Sequence, residues 1–330
     1  MPKILVTGGA GYIGSITTHH LLRRGFEVVV VDDLSRGHRH NVSAERLHVL
    51  RLQDTARLAA LLEGVDAVVH FAAVIAVGES TREPEFYFSN NVGGSLSLFE
   101  AMAKAGVRRL VFSSTAAVYG NPRETPIREG APFAPVSPYG ESKATVERIL
   151  GELDRHRGLR SVALRYFNAC GAEPDAGLGE EHEPETHLIP LLYRAVATGE
   201  PIQIFGDDYP TADGTCVRDY IHVSDLAAAH VAALEYLLAG DASAVRTEAF
   251  NAGTGAGHTV MAVLRMVEQV TGLKVPFTIG PRREGDAAEL VADSGKLRSA
   301  LGWRPVRSEL REIVRDSWDF FERRRNSRDG

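Results

Sequence analysis

A glycine-rich turn near the start of the chain restricts the fold more than any other feature. It runs Thr7-Gly8-Gly9-Ala10-Gly11-Tyr12-Ile13-Gly14, after an apolar run at 3–7 and before an amphipathic stretch at 12–24. Glycines at the first two spaced positions, 8 and 11, permit a tight turn and let backbone N–H groups approach a phosphate. A glycine at position 14 allows a helix to pack closely on a strand. The spacing therefore predicts a strand, turn and helix that bind the pyrophosphate of a dinucleotide.

The residues after the second apolar run, at 27–31, indicate which dinucleotide binds. Asp32 lies 18 residues after Gly14 and is followed by Asp33. A carboxylate at this place accepts hydrogen bonds from the adenosine ribose hydroxyls and repels a 2′-phosphate, which favours NAD over NADP. Arg36 argues in the opposite direction, but a loop arginine is more often simply solvated. We expect residues 3–33 to form the first βαβ unit of a Rossmann domain.

Short apolar runs alternate with amphipathic stretches from the start of the chain to about residue 170. This alternation is typical of parallel strands joined by crossover helices, and runs such as Val28-Val29-Val30-Val31 fit strands that are buried on both faces. The predicted fold class is α/β, with a doubly wound parallel Rossmann sheet and a smaller C-terminal α/β domain that binds the substrate. The predicted strands are 3–7, 27–31, 47–52, 67–72, 109–115 and 161–168, and the predicted helices are 12–24, 54–63, 84–105 and 138–157.

The alternation breaks after residue 170, where a Gly- and acid-rich segment begins. We therefore place the NAD-binding domain at 1–170 and the substrate-binding domain mainly at 171–330. Part of 220–253 has the pattern of one more helix and strand, and we expect it to rejoin the first sheet.

Composition limits the classes of partner. The net charge is −6 and the arginines are scattered, so the basic surface expected of a nucleic-acid-binding protein is missing. The two cysteines, Cys170 and Cys216, are too few for a disulfide framework and are typical of a reducing compartment. We expect a cytoplasmic protein with a small-molecule substrate, no targeting segment and no membrane span.

A tyrosine and a lysine on the predicted helix 138–157 are candidates for acid–base chemistry. Tyr139 and Lys143 are four residues apart and so share one helical face. A positive charge near a phenol favours the phenolate, so Lys143, helped by an oxidised nicotinamide ring, is expected to lower the pKa of Tyr139. The strand at 109–115 ends in three hydroxyls, Ser113-Ser114-Thr115, at the edge where open α/β sheets hold their chemistry. Such hydroxyls also cap turns, which is the structural alternative.

Together these motifs resemble the UDP-glucose 4-epimerase family of the extended short-chain dehydrogenase/reductases. The likeness spans nearly all 330 residues and does not rest on one motif. Besides the glycine turn, the matching segments are 70–73, 77–80, 90–92, 113–115, 118–120, 137–140, 164–168, 204–206, 209–211, 213–215, 217–223 and 282–286.

The resemblance implies roles for the catalytic candidates. Tyr139 would remove the proton from the sugar 4-hydroxyl while the C4 hydride passes to a tightly bound NAD. Thr115 would hydrogen-bond that hydroxyl, and Lys143 would hold the nicotinamide ribose. The 4-keto sugar would then rotate and take the hydride back on its opposite face, so that UDP-glucose and UDP-galactose interconvert.

The resemblance also implies the binding residues. The NAD contacts would be Gly8, Gly11, Tyr12, Ile13, Gly14, Asp32, Asp33, Phe71, Ala72, Asn90, Tyr139, Lys143 and Tyr166. The UDP-hexose contacts would be Thr115, Asn168, Arg218, Arg283, Asp286 and Leu290. Arginine forks suit phosphate oxygens, which independently supports Arg218 and Arg283 as diphosphate ligands. No metal is implied.

Three positions depart from the family pattern. Ile75 stands where the family usually has a lysine that contacts the cofactor, which puts one NAD contact in doubt. Gln53 and Asp54 both fall where an aspartate is expected to meet the adenine, and the sequence does not choose between them. Leu290 stands where a large tyrosine disfavours an N-acetyl sugar, so UDP-GlcNAc is expected to be accepted as well.

Two other functions are compatible with the fold. A nucleotide-sugar 4,6-dehydratase or decarboxylase begins with the same oxidation but needs an acid or base beside the strand-end threonine, where this chain has Ala116 and Ala117. A non-catalytic NAD-sensing protein would be expected to have lost Tyr139, Lys143 or Thr115. The resemblance further implies a homodimer in which helices 84–105 and 138–157 of two chains form a four-helix bundle.

Overall fold

Strands and helices alternate along the chain of this computed structural model, which describes residues 1–239, 246–283 and 285–328. The strands are β1 (Lys3–Thr7), β2 (Glu27–Asp32), β3 (Leu47–Val49), β4 (Ala67–His70), β5 (Arg109–Ser113), β6 (Arg160–Tyr166), β7 (Asn168–Cys170), β8 (Ile202–Phe205), β9 (Val217–His222), β10 (Glu248–Ala252), β11 (Gly257–Thr259), β12 (Phe277–Gly280) and β13 (Glu289–Leu290). The α-helices are α1 (Tyr12–Arg23), α2 (Thr55–Leu61), α3 (Val77–Arg82), α4 (Pro84–Tyr87), α5 (Gly94–Ala105), α6 (Pro138–Arg157), α7 (Leu188–Thr198), α8 (Val223–Ala239), α9 (Val260–Thr271), α10 (Gly295–Leu301) and α11 (Leu310–Arg328). Parts of the predicted segments 171–330, 220–253 and 282–286 lie outside the described residues.

A seven-stranded sheet in the order β10-β6-β5-β4-β1-β2-β3 forms the centre of the fold. All of its neighbouring strands are parallel, which confirms the predicted α/β class. Apolar side chains bury both faces, as the continuous apolar runs predicted. The strand order reverses between β1 and β4, and Thr7 at the end of β1 is paired with both Val31 and His70. The glycine turn therefore leaves the sheet at a switch point, where open α/β sheets bind ligands.

Four of the predicted strands end earlier than the apolar runs suggest, among them β3 at Val49 and β4 at His70. β5 ends at Ser113, so Ser114 and Thr115 lie beyond the paired part of the strand. The predicted strand 161–168 is divided at Phe167. β6 stays in the large sheet, whereas β7 pairs with β9 in a second sheet. The chain thus leaves the large sheet just after the carboxyl end of β6.

The predicted helix 84–105 is helical throughout but not uniform. A π-helical segment, Phe88–Gly93, separates α4 from α5. Gly93 and Gly94 have low helix propensity, and π-helical turns occur frequently at functional sites. The candidate cofactor residue Asn90 lies within this segment.

The remaining elements form a smaller α/β assembly. A four-stranded sheet contains β7, β9, β11 and β13, and β8 pairs with β12. Apolar side chains of α7, α9 and α11 form a common core with them. α8 and β10 instead pack with the large sheet. Within the part of the chain that the structure describes, no helix has both the length and the apolar character needed to cross a membrane.

Candidate active site

The glycine turn has the geometry of a phosphate cradle. Gly8 has a φ of +70°, and a Cβ on Gly8 would lie 2.5 Å from the backbone nitrogen of Ala72. A Cβ on Gly14 would lie 2.2 Å from the Gly8 carbonyl oxygen, so neither position admits a side chain. The N-cap of α1, Gly11, provides no side-chain hydrogen bond, and no acidic residue lies in the first turn. The first turn of α1 therefore provides no acidic side chain to compensate the positive end of the helix dipole. This arrangement suits an anionic ligand.

Asp32 ends β2 beside this turn and is buried. Its carboxylate accepts hydrogen bonds from the backbone N–H groups of Ala10, at 3.0 Å, and Leu34, at 2.8 Å. Burial raises the pKa of the Asp32 carboxyl, and these two hydrogen bonds oppose the shift. Because each carboxylate oxygen accepts two hydrogen bonds, capacity remains for a ribose hydroxyl. Asp33 is exposed and bonds to Ser35.

Arg36 is committed to contacts within the protein. Its Nη2 atom lies 2.8 Å from Oε1 of Glu79, and its Nη1 atom donates to the Glu183 carbonyl oxygen at 3.4 Å. The arginine is therefore paired with a carboxylate, whereas the sequence suggested a solvated side chain.

The three catalytic candidates lie together at the carboxyl end of β5. Tyr139 and Lys143, on α6, are both buried, as is Thr115 just beyond the strand. The Oγ1 atom of Thr115 accepts the backbone N–H of Ala117 at 3.1 Å, and the same hydroxyl is close enough to the phenol of Tyr139 to affect its pKa. The Nζ atom of Lys143 donates to the Ser113 carbonyl oxygen at 2.8 Å. The hydroxyl of Thr115 thus both caps a turn and contacts Tyr139.

Burial dominates the electrostatics of this group in the protein without NAD. Burial raises the pKa of the Tyr139 phenol above its ordinary value, and the neighbouring Thr115 hydroxyl opposes this shift. Burial also lowers the pKa of Lys143 to about 7, against the opposing effect of the Glu147 charge. In the protein without NAD, desolvation is the largest effect on the pKa of Tyr139. That Lys143 lowers this pKa with the help of an oxidised nicotinamide ring stays a prediction for the NAD-bound enzyme.

A buried ion pair behind the catalytic group was not predicted. Glu147, one turn after Lys143 on α6, accepts hydrogen bonds from Ser114 at 2.5 Å and from Arg165 of β6 at 2.6 to 3.0 Å. Both charged side chains are only 7% exposed. Arg165 also donates to the hydroxyl of Tyr119. The pair joins α6 to β6 and to Ser114, which precedes Thr115. No local pattern in the sequence indicated it.

A second unpredicted residue, Asn91, fixes the loop after β4. Its side chain bonds to both backbone polar groups of Val74, at 2.9 and 3.0 Å, and to the hydroxyl of Ser142 on α6. This loop carries the candidates Phe71 and Ala72 and the exposed Ile75. Asn90, which was predicted, donates to Asn91 at 3.1 Å.

The other cofactor candidates lie around the same sheet edge. The hydroxyl of Tyr12 donates to the Gly171 carbonyl oxygen at 2.6 Å, and Ile13 packs beside it in α1. The rings of Phe71 and Tyr166 both contact His230, and the hydroxyl of Tyr166 accepts from Ser113.

The two adenine candidates are distinguished by their local contacts. Asp54 is the N-cap of α2, accepts the backbone N–H of Arg57 at 3.3 Å and forms an ion pair with its guanidinium. Gln53 is exposed, and its Nε2 atom lies 3.6 Å from where a Cβ on Gly94 would be. Asp54 is thus used to cap a helix, and Gln53 is not.

The substrate candidates cluster around β9 and β13. Arg218 donates to the carbonyl oxygens of Val217 and Ala287 at 2.9 Å, and its Nη2 atom lies 3.5 Å from Oδ1 of Asp286. Leu290 is paired with Arg218 in the sheet and packs in the apolar cluster that contains Ala116. Arg218, Asp286 and Leu290 are therefore brought together.

The two remaining substrate candidates lie at other places in the smaller assembly. Arg283 places its guanidinium 4.0 Å from the centre of the Phe205 ring. Asn168 is exposed at the start of β7, two residues beyond the carboxyl end of β6.

Comparison with known proteins gives a consistent result. Residues 4–253 match the NAD dependent epimerase/dehydratase family. The chain is 47% identical over 323 residues to UDP-glucose 4-epimerase of Lacticaseibacillus casei, covering 97% of this chain and 96% of that protein. Among solved structures it is similar to UDP-glucose-4-epimerase from Stenotrophomonas maltophila with bound NAD and formylated UDP-arabinopyranose (TM-score 0.94, 42% identity, 100% of both chains). It is also similar to UDP-glucose 4-epimerase from Brucella ovis in complex with NAD (TM-score 0.92, 43% identity, 97% and 98% of the two chains).

Proposed function

This chain belongs to the NAD-dependent epimerase/dehydratase family, and from that premise we propose that it inverts C4 of UDP-hexoses, interconverting UDP-glucose and UDP-galactose. One observation carries the proposal: Thr115, Tyr139 and Lys143 are buried together at the switch-point edge of the sheet that holds the glycine turn. A sugar hydroxyl placed there would meet a phenol and a threonine hydroxyl in a site shielded from water.

NAD is the cofactor, and the protein's residues fit it. The cradle at Gly8, Gly11 and Gly14 would hold the pyrophosphate, and the carboxylate of Asp32 would accept hydrogen bonds from the adenosine ribose hydroxyls. A 2′-phosphate would need a cation beside it, and the nearby Arg36 is already paired with Glu79. We assign Gln53 the adenine contact because Asp54 caps α2. The remaining contacts that we propose are Tyr12, Ile13, Asp33, Phe71, Ala72, Asn90, Tyr139, Lys143 and Tyr166.

The residues around Tyr139 transfer a proton during the reaction. When bound, NAD supplies the hydride chemistry, accepting a hydride from C4 and giving it back. Tyr139 takes the proton of the 4-hydroxyl and later returns it, while Thr115 orients both oxygens by hydrogen bonding. Because burial disfavours the phenolate, the proton transfer depends on positive charge close to the phenol. Lys143, whose Nζ atom donates to the Ser113 carbonyl, supplies positive charge when it is protonated.

The residues beside Thr115 favour epimerisation over elimination. A 4,6-dehydratase needs a further acid or base at the strand end, and this chain has Ala116, which is buried, and Ala117, which packs against the cluster that contains Tyr139. Without a carboxylate there, the only reaction open to the 4-keto sugar is reduction at C4.

We propose that the UDP-hexose binds to the smaller assembly. The chain would then consist of an NAD-binding part and a substrate-binding part. Arg218 and Arg283 contact the diphosphate, because guanidinium groups bind phosphate oxygens in a bidentate manner. Asp286, 3.5 Å from Arg218, and Asn168 complete the nucleotide contacts. Leu290 links this group to the catalytic strand end through the cluster that contains Ala116.

The purified protein is expected to interconvert UDP-glucose and UDP-galactose without added NAD. The physical reason is that the hydride returns to the sugar, so that the cofactor is regenerated in each turnover. The measurement is NMR of the sugar anomeric protons during incubation with either substrate. A strict requirement for NADPH, or a product that has lost water, would contradict the proposal.

Leu290 is expected to set the sugar range. The change Leu290→Tyr should lower turnover of UDP-GlcNAc by roughly tenfold or more, because a larger side chain removes space for the N-acetyl group. Turnover of UDP-glucose should change much less. The volume-conserving change Leu290→Met is the control and should leave both activities close to wild type. Equal losses for both sugars in Leu290→Tyr would contradict this role.

We further propose a cytoplasmic homodimer that pairs through α4 to α6. Three large apolar side chains on this helical segment are at least one-third exposed: Phe86 at 43%, Phe88 at 36% and Leu96 at 48%. Pairing of two chains along this segment would bury these side chains, and removing apolar surface from water favours association.

The change Leu96→Asp is expected to convert the dimer to a monomer. A charge introduced on the proposed apolar interface would be desolvated without a partner. Size-exclusion chromatography with light scattering should show the molar mass fall by half. Val306→Asp, at a side chain that is 80% exposed elsewhere, should leave the mass unchanged. A wild-type protein that is monomeric at micromolar concentration would refute the dimer.

A further inference from the structure

A cluster of metal-ligating side chains lies in the Gly- and acid-rich segment between β7 and α7, which the proposed reaction does not use. Glu180, His182, Glu185 and His187 fall within eight residues, and one potential ligand atom of each lies within 4.8 Å of all the others. The set therefore joins two imidazoles and two carboxylates at a single point. We propose that this cluster binds one divalent transition-metal ion, of the Zn²⁺ class, as a structural site.

The geometry needs little change to hold an ion. The Nδ1 atom of His182 lies 3.0 Å from Oε1 of Glu180 and 3.9 Å from Oε1 of Glu185, and Nδ1 of His187 contacts the same oxygen of Glu180. Tetrahedral bonds of about 2.0–2.2 Å place ligand atoms about 3.3–3.6 Å apart. The observed separations lie on both sides of this value. The rings of His182 and His187 are nearly perpendicular, at 87°, so their nitrogens approach from different directions.

Charge also favours an ion at this point. Glu180 is 6% exposed and Glu185 15% exposed, so two carboxylates face each other away from most of the solvent. A divalent cation bound at this point would compensate the negative charge of both carboxylates.

The ligand types select the class of metal. Imidazole nitrogens suit zinc and its neighbours, whereas magnesium and calcium prefer sites made only of oxygen ligands. Four protein ligands close a tetrahedral site, which is the pattern of structural rather than catalytic zinc. The carboxylate of Glu185 is oriented by the backbone N–H groups of Thr186, at 2.7 Å, and His187, at 2.8 Å. Such supporting bonds are typical of metal ligands.

The position of the cluster suggests what the ion does. The ring of His182 packs edge-on against Tyr12, the first residue of α1 after the glycine turn, with 6.2 Å between centroids. The carbonyl of Glu183 accepts from Arg36, and that of Glu181 contacts His38 at 2.8 Å. An ion would thus hold segment 180–187 against the start of α1. We expect this to slow the dissociation of NAD, an effect that rests on the proposed cofactor role.

The test uses the full chain with its NAD, treated with a chelator and then returned to metal-free buffer. Calorimetric titration with ZnCl₂ should show one tight site per chain, and the variants His182→Gln and Glu180→Gln should each lose it. X-ray absorption at the zinc edge should show nitrogen and oxygen ligands with scattering from two imidazoles. Zinc should also raise the melting temperature and slow NAD release in the wild type only.

A neighbouring cluster provides the control. His38, His40 and Glu181 also lie close together, but Glu181 is already paired with Arg324 at 2.6 Å. The variant His40→Gln should therefore keep the tight site. If His182→Gln fails to fold by circular dichroism, the milder Glu185→Gln replaces it and should weaken zinc binding at least tenfold. Equal zinc stoichiometry in the wild type and the cluster variants, or no binding by the wild type, overturns the proposal and leaves an ion-pair cluster.

Discussion

Replacing Tyr139 by phenylalanine is expected to lower kcat by about 100-fold or more, which is the usual contribution of a positioned general base or acid. The ring would keep its place in the buried cluster with Val74 and Tyr87, so only the hydroxyl is lost. Such a loss corresponds to about 2.7 kcal/mol of transition-state stabilisation. The KM for UDP-glucose should change little, because the nucleotide contacts lie in the smaller assembly.

The measurement is steady-state turnover of UDP-glucose, with bound NAD quantified for each preparation. Tyr236→Phe is the matched control, because Tyr236 lies on α8 and its hydroxyl bonds to Glu248 at 3.3 Å, away from the catalytic group. This variant should turn over at the wild-type rate. A Tyr139→Phe enzyme with normal NAD content and near wild-type kcat would exclude Tyr139 as the proton carrier.

The glycine turn and the large sheet were predictable because their causes are local. The spacing of Gly8 and Gly14 is dictated by a positive φ and by a close backbone approach, both of which act over a few residues. Apolar runs specify strands that are buried on both faces. The pair of Tyr139 and Lys143 was predictable for the same reason, because helical periodicity alone places both residues on one face.

The supporting residues were not predictable because their partners are distant in sequence. Asn91 bonds to Val74 and Ser142, and Glu147 bonds to Ser114 and Arg165. Which of many carboxylates and amides make such contacts depends on how α6 packs on the sheet. The rise in the pKa of Tyr139 by burial was not predictable for a related reason, because desolvation depends on the whole surrounding structure and not on one neighbouring lysine.

The largest expected effect on stability comes from breaking the buried pair of Glu147 and Arg165. The change Arg165→Met should lower the free energy of unfolding by about 3–5 kcal/mol, because it leaves the carboxylate of Glu147 buried without its cation. It also removes the donors to the Tyr119 hydroxyl and the Glu129 carbonyl. Denaturation by urea with saturating NAD measures the change.

Two further variants separate the loss of the ion pair from the loss of packing. The double change Glu147→Leu with Arg165→Met should recover much of the stability, since an apolar pair of similar volume carries no desolvated charge. Arg148→Met, on the same helix, removes an exposed pair with Glu141 and should cost less than about 1 kcal/mol. The double variant should still lose turnover relative to the wild type, because Ser114 would lack its acceptor beside Thr115. A double variant as unstable as Arg165→Met alone would mean that packing, and not the buried charge, determines the loss.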